Sequence, residues 1–261
     1  MKYAPSKVKN SFNFNANNAS VISRYIIRPL SFYMTSFALE LNMKPDQATA
    51  ISLALNVMSA FAFITGTRIF FTFGVLLYFL AVLFDFVDGN IARITDSATY
   101  FGKFADGAVD VFADSFIPLA VAVGFYFAGS SVAFLLMGIG ASMFLLFGFF
   151  VINRASFMCR WVKIDELEGK LPPAGRPDNL NPLKSGMMPL YAISNVAMDA
   201  KILVLATAAI TGMTTALFII LFTVIAVWAA ALTIGTALDM VVRLKIHRVS
   251  KSDLRLRQKR S

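Results

Sequence analysis

The sequence predicts an all-α polytopic membrane protein: six transmembrane helices, an N-terminal amphipathic interfacial helix, and both termini in the cytoplasm. Four observations lead there. The 261 residues are 57% hydrophobic and 15% charged, against about 45–50% and about 25% in soluble proteins. Mean hydropathy is +0.68, more apolar surface than a soluble domain of this length buries. The apolar residues form runs of about 20 or more, the length that crosses a bilayer. Finally, the net charge of +9 is distributed unevenly along the chain, as expected of loops on one side of a membrane.

The elements follow in order. Residues 1–20 are polar and Asn-rich, with no apolar stretch of the kind found in a signal peptide. Residues 21–42 carry Val21, Ile22, Tyr25, Ile26, Leu30, Tyr33, Met34 and Phe37 at helical spacing, with Arg24 and Arg28 adding charge. That pattern reads as a helix lying on the cytoplasmic leaflet; a packed core helix is the alternative. Spans are expected at about 48–66, 69–93, 103–128, 131–157, 188–211 and 213–243. Pro45 opens the first, with Asp46 as its expected N-cap. Gly66, Gly129 and Gly212 mark turns between spans, and Pro118 is expected to kink the third. Pro172, Pro173, Pro177 and Pro182 make residues 158–187 a cytoplasmic loop. The whole chain reads as one domain: a cytoplasmic and interfacial segment 1–44, a bundle 45–243, and a basic tail 244–261.

With these spans, 23 of the 24 Lys and Arg residues fall on one side, and Arg68 alone falls on the other. The positive-inside rule then places both termini in the cytoplasm, in agreement with an even number of spans. A basic pI also suits nucleic-acid binding, but here the cations flank apolar runs and do not interleave with exposed aromatics. The single cysteine, Cys159, cannot form an intrachain disulfide. The only histidine, His247, lies in the basic tail, so histidine-base catalysis and the usual zinc sites are disfavoured.

The informative charges are acidic. Ionisable groups inside a bilayer are costly and mark function by default. Asp85, Asp88, Gly89, Ala92 and Arg93 share one face of the second span, and Gly102, Asp106 and Asp110 share one face of the third. A connection of about eight residues folds these faces together. Four carboxylates in one pocket repel unless they are protonated or hold metal. An all-oxygen donor set without His or Cys favours hard cations, Mg²⁺ first, then Mn²⁺ or Ca²⁺. Two divalent ions balance four carboxylates and form the clamp used in phosphoryl displacement. Gly89 and Gly102 leave room for a nucleotide near the backbone, and Arg93 offers a fork for phosphate oxygens.

The run DFVDGNIARITDSATYFGKFADGAVD, residues 85–110, resembles the signature of the CDP-alcohol phosphotransferase (CDP-alcohol phosphatidyltransferase) family, D-x2-D-G-x2-A-R-x8-G-x3-D-x3-D. Every fixed position matches: Asp85, Asp88, Gly89, Ala92, Arg93, Gly102, Asp106 and Asp110. The segment RPLSFYMTSFALELNMKPDQAT also looks like the family's lead-in to its first span, with Pro45-Asp46 where Pro-Asn is more usual. The resemblance implies a membrane enzyme that moves a substituted phosphate group from a CDP-alcohol to an acceptor hydroxyl and releases CMP. CDP-diacylglycerol is the expected donor, with a small polar acceptor, in phospholipid biosynthesis. The same resemblance assigns metal binding to Asp85, Asp88 and Asp106, and both metal binding and general-base work to Asp110. It assigns the CDP site to Gly89, Ala92, Arg93 and Gly102. Mg²⁺ is the implied cofactor, with two ions expected and Mn²⁺ an alternative. A homodimer in the inner or cytoplasmic membrane, with the site facing the cytoplasm and no nucleic-acid partner, completes the expectation.

Weaker candidates have plainer readings. Asp114 suits a polar contact between helices, and Asp96 a solvated turn. Asn195 and Asp199 could line an acceptor pocket or bond between helices. Arg154, Arg160, Lys184 and Lys201 suit either an acidic acceptor or positive-inside anchoring. Asp239 and Arg243 form a surface pair at i,i+4, and the basic tail suits anionic lipid heads. A soluble CDP-alcohol donor with a lipid or sugar acceptor is the alternative enzyme reading. A divalent-cation transporter is the alternative of another class, but carboxylates clustered toward one face argue for a one-sided site. A catalytically silent scaffold gives no reason to keep four mutually repelling carboxylates.

Overall fold

Small polar residues share the seams between the helices with buried apolar ones such as Phe71, Leu77 and Leu83 in the computed structural model. The structure describes residues 5–10, 22–168 and 201–212, together with 220, 222, 223, 227, 230, 234 and 235. The described elements are α1 (Pro5–Asn10), a π-helical turn at Ser23–Ile27, α2 (Arg28–Glu40), α3 (Pro45–Ile64), α4 (Arg68–Ile94), α5 (Tyr100–Phe127) and α6 (Val132–Leu167). A further helix, α7, covers Lys201–Thr211. There is no strand among the described residues. Four described helices are long and apolar enough to cross a membrane: α3, α4, α5 and, over Val132–Val151, α6. The chain is an integral membrane protein. α7 is the described end of the expected fifth span; residues 188–200 and most of the sixth span, 213–243, lie outside the described residues, as does the tail 244–261. Two compact units divide the chain: Met1–Leu145 with Asn195–Ala226, and Leu146–Ser194 with Val227–Ser261. The site lies in the first unit.

In α3, Ala48, Thr49, Ser52, Asn56, Ser59, Ala62 and Phe63 are buried, one side of the helix by their spacing. Ser52 Oγ donates to the Ala81 carbonyl at 2.9 Å, and Ser59 Oγ to the Gly74 carbonyl at 2.8 Å. Hydroxyls donating to backbone carbonyls of α4 join helices where lipid supplies no hydrophobic drive. Leu53, Met58 and Phe61 point outward. At the end carrying the acidic residues, Ala38, Leu39, Ala48, Val87 and Ile91 form a buried cluster shared by α2, α3 and α4. Asp88 is therefore held between two core side chains of α4.

α2 is amphipathic in the same inverted sense. Ser31, Thr35, Ser36, Ala38 and Leu39 are buried, while Tyr25, Ile26, Leu30, Tyr33, Phe37 and Leu41 are exposed. Of the apolar row expected from the sequence, Tyr25, Ile26, Leu30, Tyr33 and Phe37 face outward, whereas Ile22 is buried and Met34 packs on the core cluster; Val21 lies outside the described residues. A π-helical turn, not regular helix, begins this segment.

Several expectations need correction. The N-cap of α3 is Lys44, not Asp46: Lys44 is extended, Pro45 stands at the first helical position, and Gln47 Oε1 accepts from the Lys44 N–H at 2.9 Å. Proline's fixed φ and missing N–H suit that first position, which puts Asp46 inside the first turn. The connection between α4 and α5 spans only residues 95–99, because Thr99 caps α5 by accepting from the Gly102 N–H at 2.9 Å. α6 continues to Leu167, ten residues beyond the expected end at 157. No proline or glycine interrupts residues 158–167, and the proline-rich part begins only at Pro172. α5 runs unbroken through the buried Pro118. Gly66, Gly129 and Gly212 all have positive φ, as turn glycines should.

Candidate metal and nucleotide site

α4 brings Asp85 and Asp88 to its C-terminal end, and α5 brings Asp106 to its N-terminal end. The short Thr95–Thr99 connection sets the two ends side by side. One carboxylate oxygen from each of Asp85, Asp88 and Asp106 lies within 4.8 Å of the other two. Asp88 is buried, and Asp85 and Asp106 are half-buried. Asp110, one turn along α5 from Asp106, stands outside this trio and is exposed. At about 1.5 Å per residue, Asp88 and Asp106 lie about 9 Å from their helix ends, and Asp85 and Asp110 about 14–15 Å. The four carboxylates thus span two helical layers.

Asp88 has a partner that the spacing of carboxylates did not reveal. Thr49 Oγ1 of α3 donates to Asp88 Oδ2 at 2.5 Å and also approaches the Pro45 carbonyl at 3.2 Å. The only sequence signal was its position four residues after Pro45. Asp46, displaced from capping its own helix, serves α5: a Cβ at Gly102 would come 3.4 Å from Asp46 Oδ1 and 3.1 Å from Thr99 Oγ1. A carboxylate at a helix N-terminus complements the helix dipole. Gly102 therefore admits a capping arrangement.

Gly89 differs from its expected role. A Cβ there would lie 3.1 Å from an Arg93 terminal nitrogen and 3.4 Å from the other. The guanidinium itself fills the space above Gly89. Arg93 is exposed, and its Nη2 donates to Asn90 Oδ1 at 3.1 Å. Nearby on α2, the Arg28 guanidinium lies over the Phe86 ring, 5.4 Å from its centroid. Burial and then the Arg93 charge push the Arg28 pKa below its usual value. Arg28 and Arg93 thus bring two positive charges beside the acidic trio. Ala92 is half-buried on the same face of α4.

Deeper in the bundle, Lys201 of α7 pairs with Asp114 of α5. Lys201 lies about 15 Å from the Gly212 turn, well inside the span. Its expected place among the cytoplasmic anchors is corrected: an intramembrane cation is tolerated because it is paired. The interhelical contact expected of Asp114 is present. Asp96 is exposed in the connection, with φ +48°. Arg154 lies 5.6 Å over the Phe157 ring. Asn195, Asp199, Lys184, Asp239, Arg243 and His247 lie outside the described residues.

Three oxygen donors within reach of one point, without nitrogen or sulfur, fit a hard divalent cation. Beside them stand the guanidinium of Arg93 and, one turn along α5 from Asp106, the exposed carboxylate of Asp110. No curated protein sequence matches the chain. The model of the CDP-alcohol phosphatidyltransferase family matches residues 42–241, over three quarters of the chain, and includes Thr49, Asp85, Asp88, Arg93, Asp106 and Asp110. The chain belongs to the CDP-alcohol phosphatidyltransferase family, membrane transferases of substituted phosphate groups that act in phospholipid biosynthesis.

Proposed function

We propose that the chain transfers a phosphatidyl group from CDP-diacylglycerol to the hydroxyl of a small polar acceptor and releases CMP, with Mg²⁺ as cofactor and the site facing the cytoplasm. The convergence of Asp85, Asp88 and Asp106 beside Arg93 carries this reading. Asp85, Asp88 and Asp106 would hold the cation, with Asp110 completing the site if a second ion binds. A bound divalent cation supplies charge neutralisation at the donor pyrophosphate. Arg93 contacts the same pyrophosphate through its fork, and the half-buried Ala92 and Gly102 line the cytidine side. The family's membrane setting and the outward apolar rows of α2 and α3 suit a donor with acyl chains.

Asp110 takes the proton of the acceptor hydroxyl. The acceptor oxygen attacks the phosphorus that carries the alcohol, a new P–O bond forms, and the bond to the CMP oxygen breaks. Among the described residues Asp110 makes no ion pair, which leaves its carboxylate available as a base. As the resemblance implies, the functional unit is a homodimer.

Purified protein with CDP-diacylglycerol, Mg²⁺ and a panel of acceptors tests the reading through CMP and the new lipid. Asp110→Asn should lower turnover by about 10²–10⁴-fold while Mg²⁺-dependent CDP binding persists. Full turnover by Asp110→Asn would remove the base assignment. Turnover only with soluble CDP-alcohols would replace the donor.

A further inference from the structure

Arg93 does not stand alone on α4. Its Nη2 donates to Asn90 Oδ1 at 3.1 Å, and Asn90 Nδ2 donates to Ser31 Oγ at 3.2 Å and Thr35 Oγ1 at 3.1 Å. Ser31 Oγ in turn donates to the Arg28 carbonyl at 2.9 Å. The direction of this chain is fixed by chemistry. A guanidinium can only donate, so the Asn90 oxygen must face Arg93 and the amide nitrogen must face α2. Ser31, already donating to a carbonyl, accepts with a remaining lone pair. Ser31 and Thr35 are fully buried, and Asn90 is 4% exposed. A buried amide with both ends satisfied has one orientation, because rotating it sets donor against donor.

The two ends of the chain lie in different surroundings. Arg93 reaches the acidic site. Ser31 and Thr35 lie on the packed side of α2, whose opposite side exposes Tyr25, Tyr33 and Phe37. Arg28, at the start of α2, is held against α4 by the Phe86 ring. Asn90 is thus the polar joint between the outward-facing helix and the guanidinium over Gly89.

We infer that Asn90 is a positioning residue: through Ser31 and Thr35 it makes α2 the reference that fixes the Arg93 guanidinium for the donor pyrophosphate. This rests on the proposed CDP site and adds to it a part for α2. Without the joint, Arg93 keeps its charge and loses the bond that ties its direction to α2, so affinity for the pyrophosphate falls while the residue remains present.

The experiment measures Mg²⁺-dependent binding of CDP to the full chain in lipid nanodiscs, together with thermal unfolding. Asn90→Leu should weaken CDP binding about tenfold, the scale of a lost hydrogen bond to a charged group. Asn90→Asp, which still accepts from Arg93 and can accept from the Thr35 hydroxyl, should stay within about threefold of the parent. The pair Ser31→Ala with Thr35→Ala leaves the Asn90–Arg93 bond in place and cuts only the link to α2; it too should weaken binding. In an Arg93→Ala background, neither Asn90→Leu nor the Ser31/Thr35 pair should weaken CDP binding further. Losses that multiply in that background, or a stability loss with unchanged CDP affinity, would overturn the inference while leaving the proposed function standing. Failure of the parent chain to bind CDP with Mg²⁺ would overturn the proposed function and this inference together.

Discussion

At the scale of single residues, the site depends on side chains that neutralise or orient the acidic ones. Thr49 gives Asp88 a hydrogen bond on Oδ2, which holds the carboxylate in place beside Asp85 and Asp106. Groups that orient a ligand carboxylate are worth about 10–100-fold in metal affinity. Thr49→Val keeps the shape and removes the donor; the Mg²⁺ concentration for half-maximal CMP release should rise at least about tenfold, and Thr49→Ser should restore it. An unchanged Mg²⁺ dependence in Thr49→Val would remove the orienting role. Lys201 and Asp114 form the other pair. Lys201→Met leaves a carboxylate unpaired inside the bundle and should cost about 3–5 kcal/mol, whereas Lys201→Met with Asp114→Leu should recover most of that loss. Thermal unfolding in micelles decides it: equal losses for the single and double variants would mean that the pair is not what the bundle depends on. The carboxylates and Arg93 were legible because charge in an apolar run stands out. Thr49, Asn90, Ser31 and Thr35 were not. Hydroxyls and an amide in helices carry no distinctive spacing, and their importance comes from partners 39–59 residues away.

At the scale of elements, glycine turns and apolar runs made α3, α4 and α5 legible to within a few residues. α6 runs ten residues past its expected end because a proline acts only on its own and the preceding turn, and the first after α6 is Pro172. Which side of a helix packs was also hidden. In a membrane the small residues meet other helices and the large apolar ones meet lipid, so an apolar row on α2 does not point to the core. α5 and α6 show how closely small residues let helices approach. A Cβ at Gly138 would lie 2.1 Å from the Ala122 Cβ, while its next contacts are at 3.6 Å. Gly138→Ala should therefore cost about 1–3 kcal/mol, as overpacking does. Adding Ala122→Gly removes the one severe contact and should restore most of the stability. A Gly138→Ala protein as stable as the parent would show that α6 shifts freely at this crossing.

At the scale of the whole molecule, the distribution of charge acquires a structural reading through Arg68, which joins the intramembrane Lys201 as an exception. Arg68, the lone cation on its side by the expected spans, donates from Nη2 to the Ile210 carbonyl at 3.1 Å, and its guanidinium carbon would lie 3.8 Å from a Cβ at Gly212. It caps the end of α7, where carbonyls lack helical partners and the dipole favours a cation. Gly66 packs against Gly124 and Ala128 at that same end, so the turns at Gly66, Gly129 and Gly212 gather opposite the acidic site. A charge retained for a local bond does not weaken the bias that orients the chain. The bias makes a definite prediction. In a Cys159→Ser background, Thr67→Cys should react with a membrane-impermeant maleimide on intact, right-side-out vesicles. Ser97→Cys, in the exposed connection beside the site, should react only after the vesicles are opened. Labelling of Ser97→Cys alone from outside would reverse the orientation and put the site where no cytoplasmic CDP-alcohol reaches it. Labelling of both from outside would put on one face two turns that a spanning α4 must keep on opposite faces, and would remove α4 from the membrane.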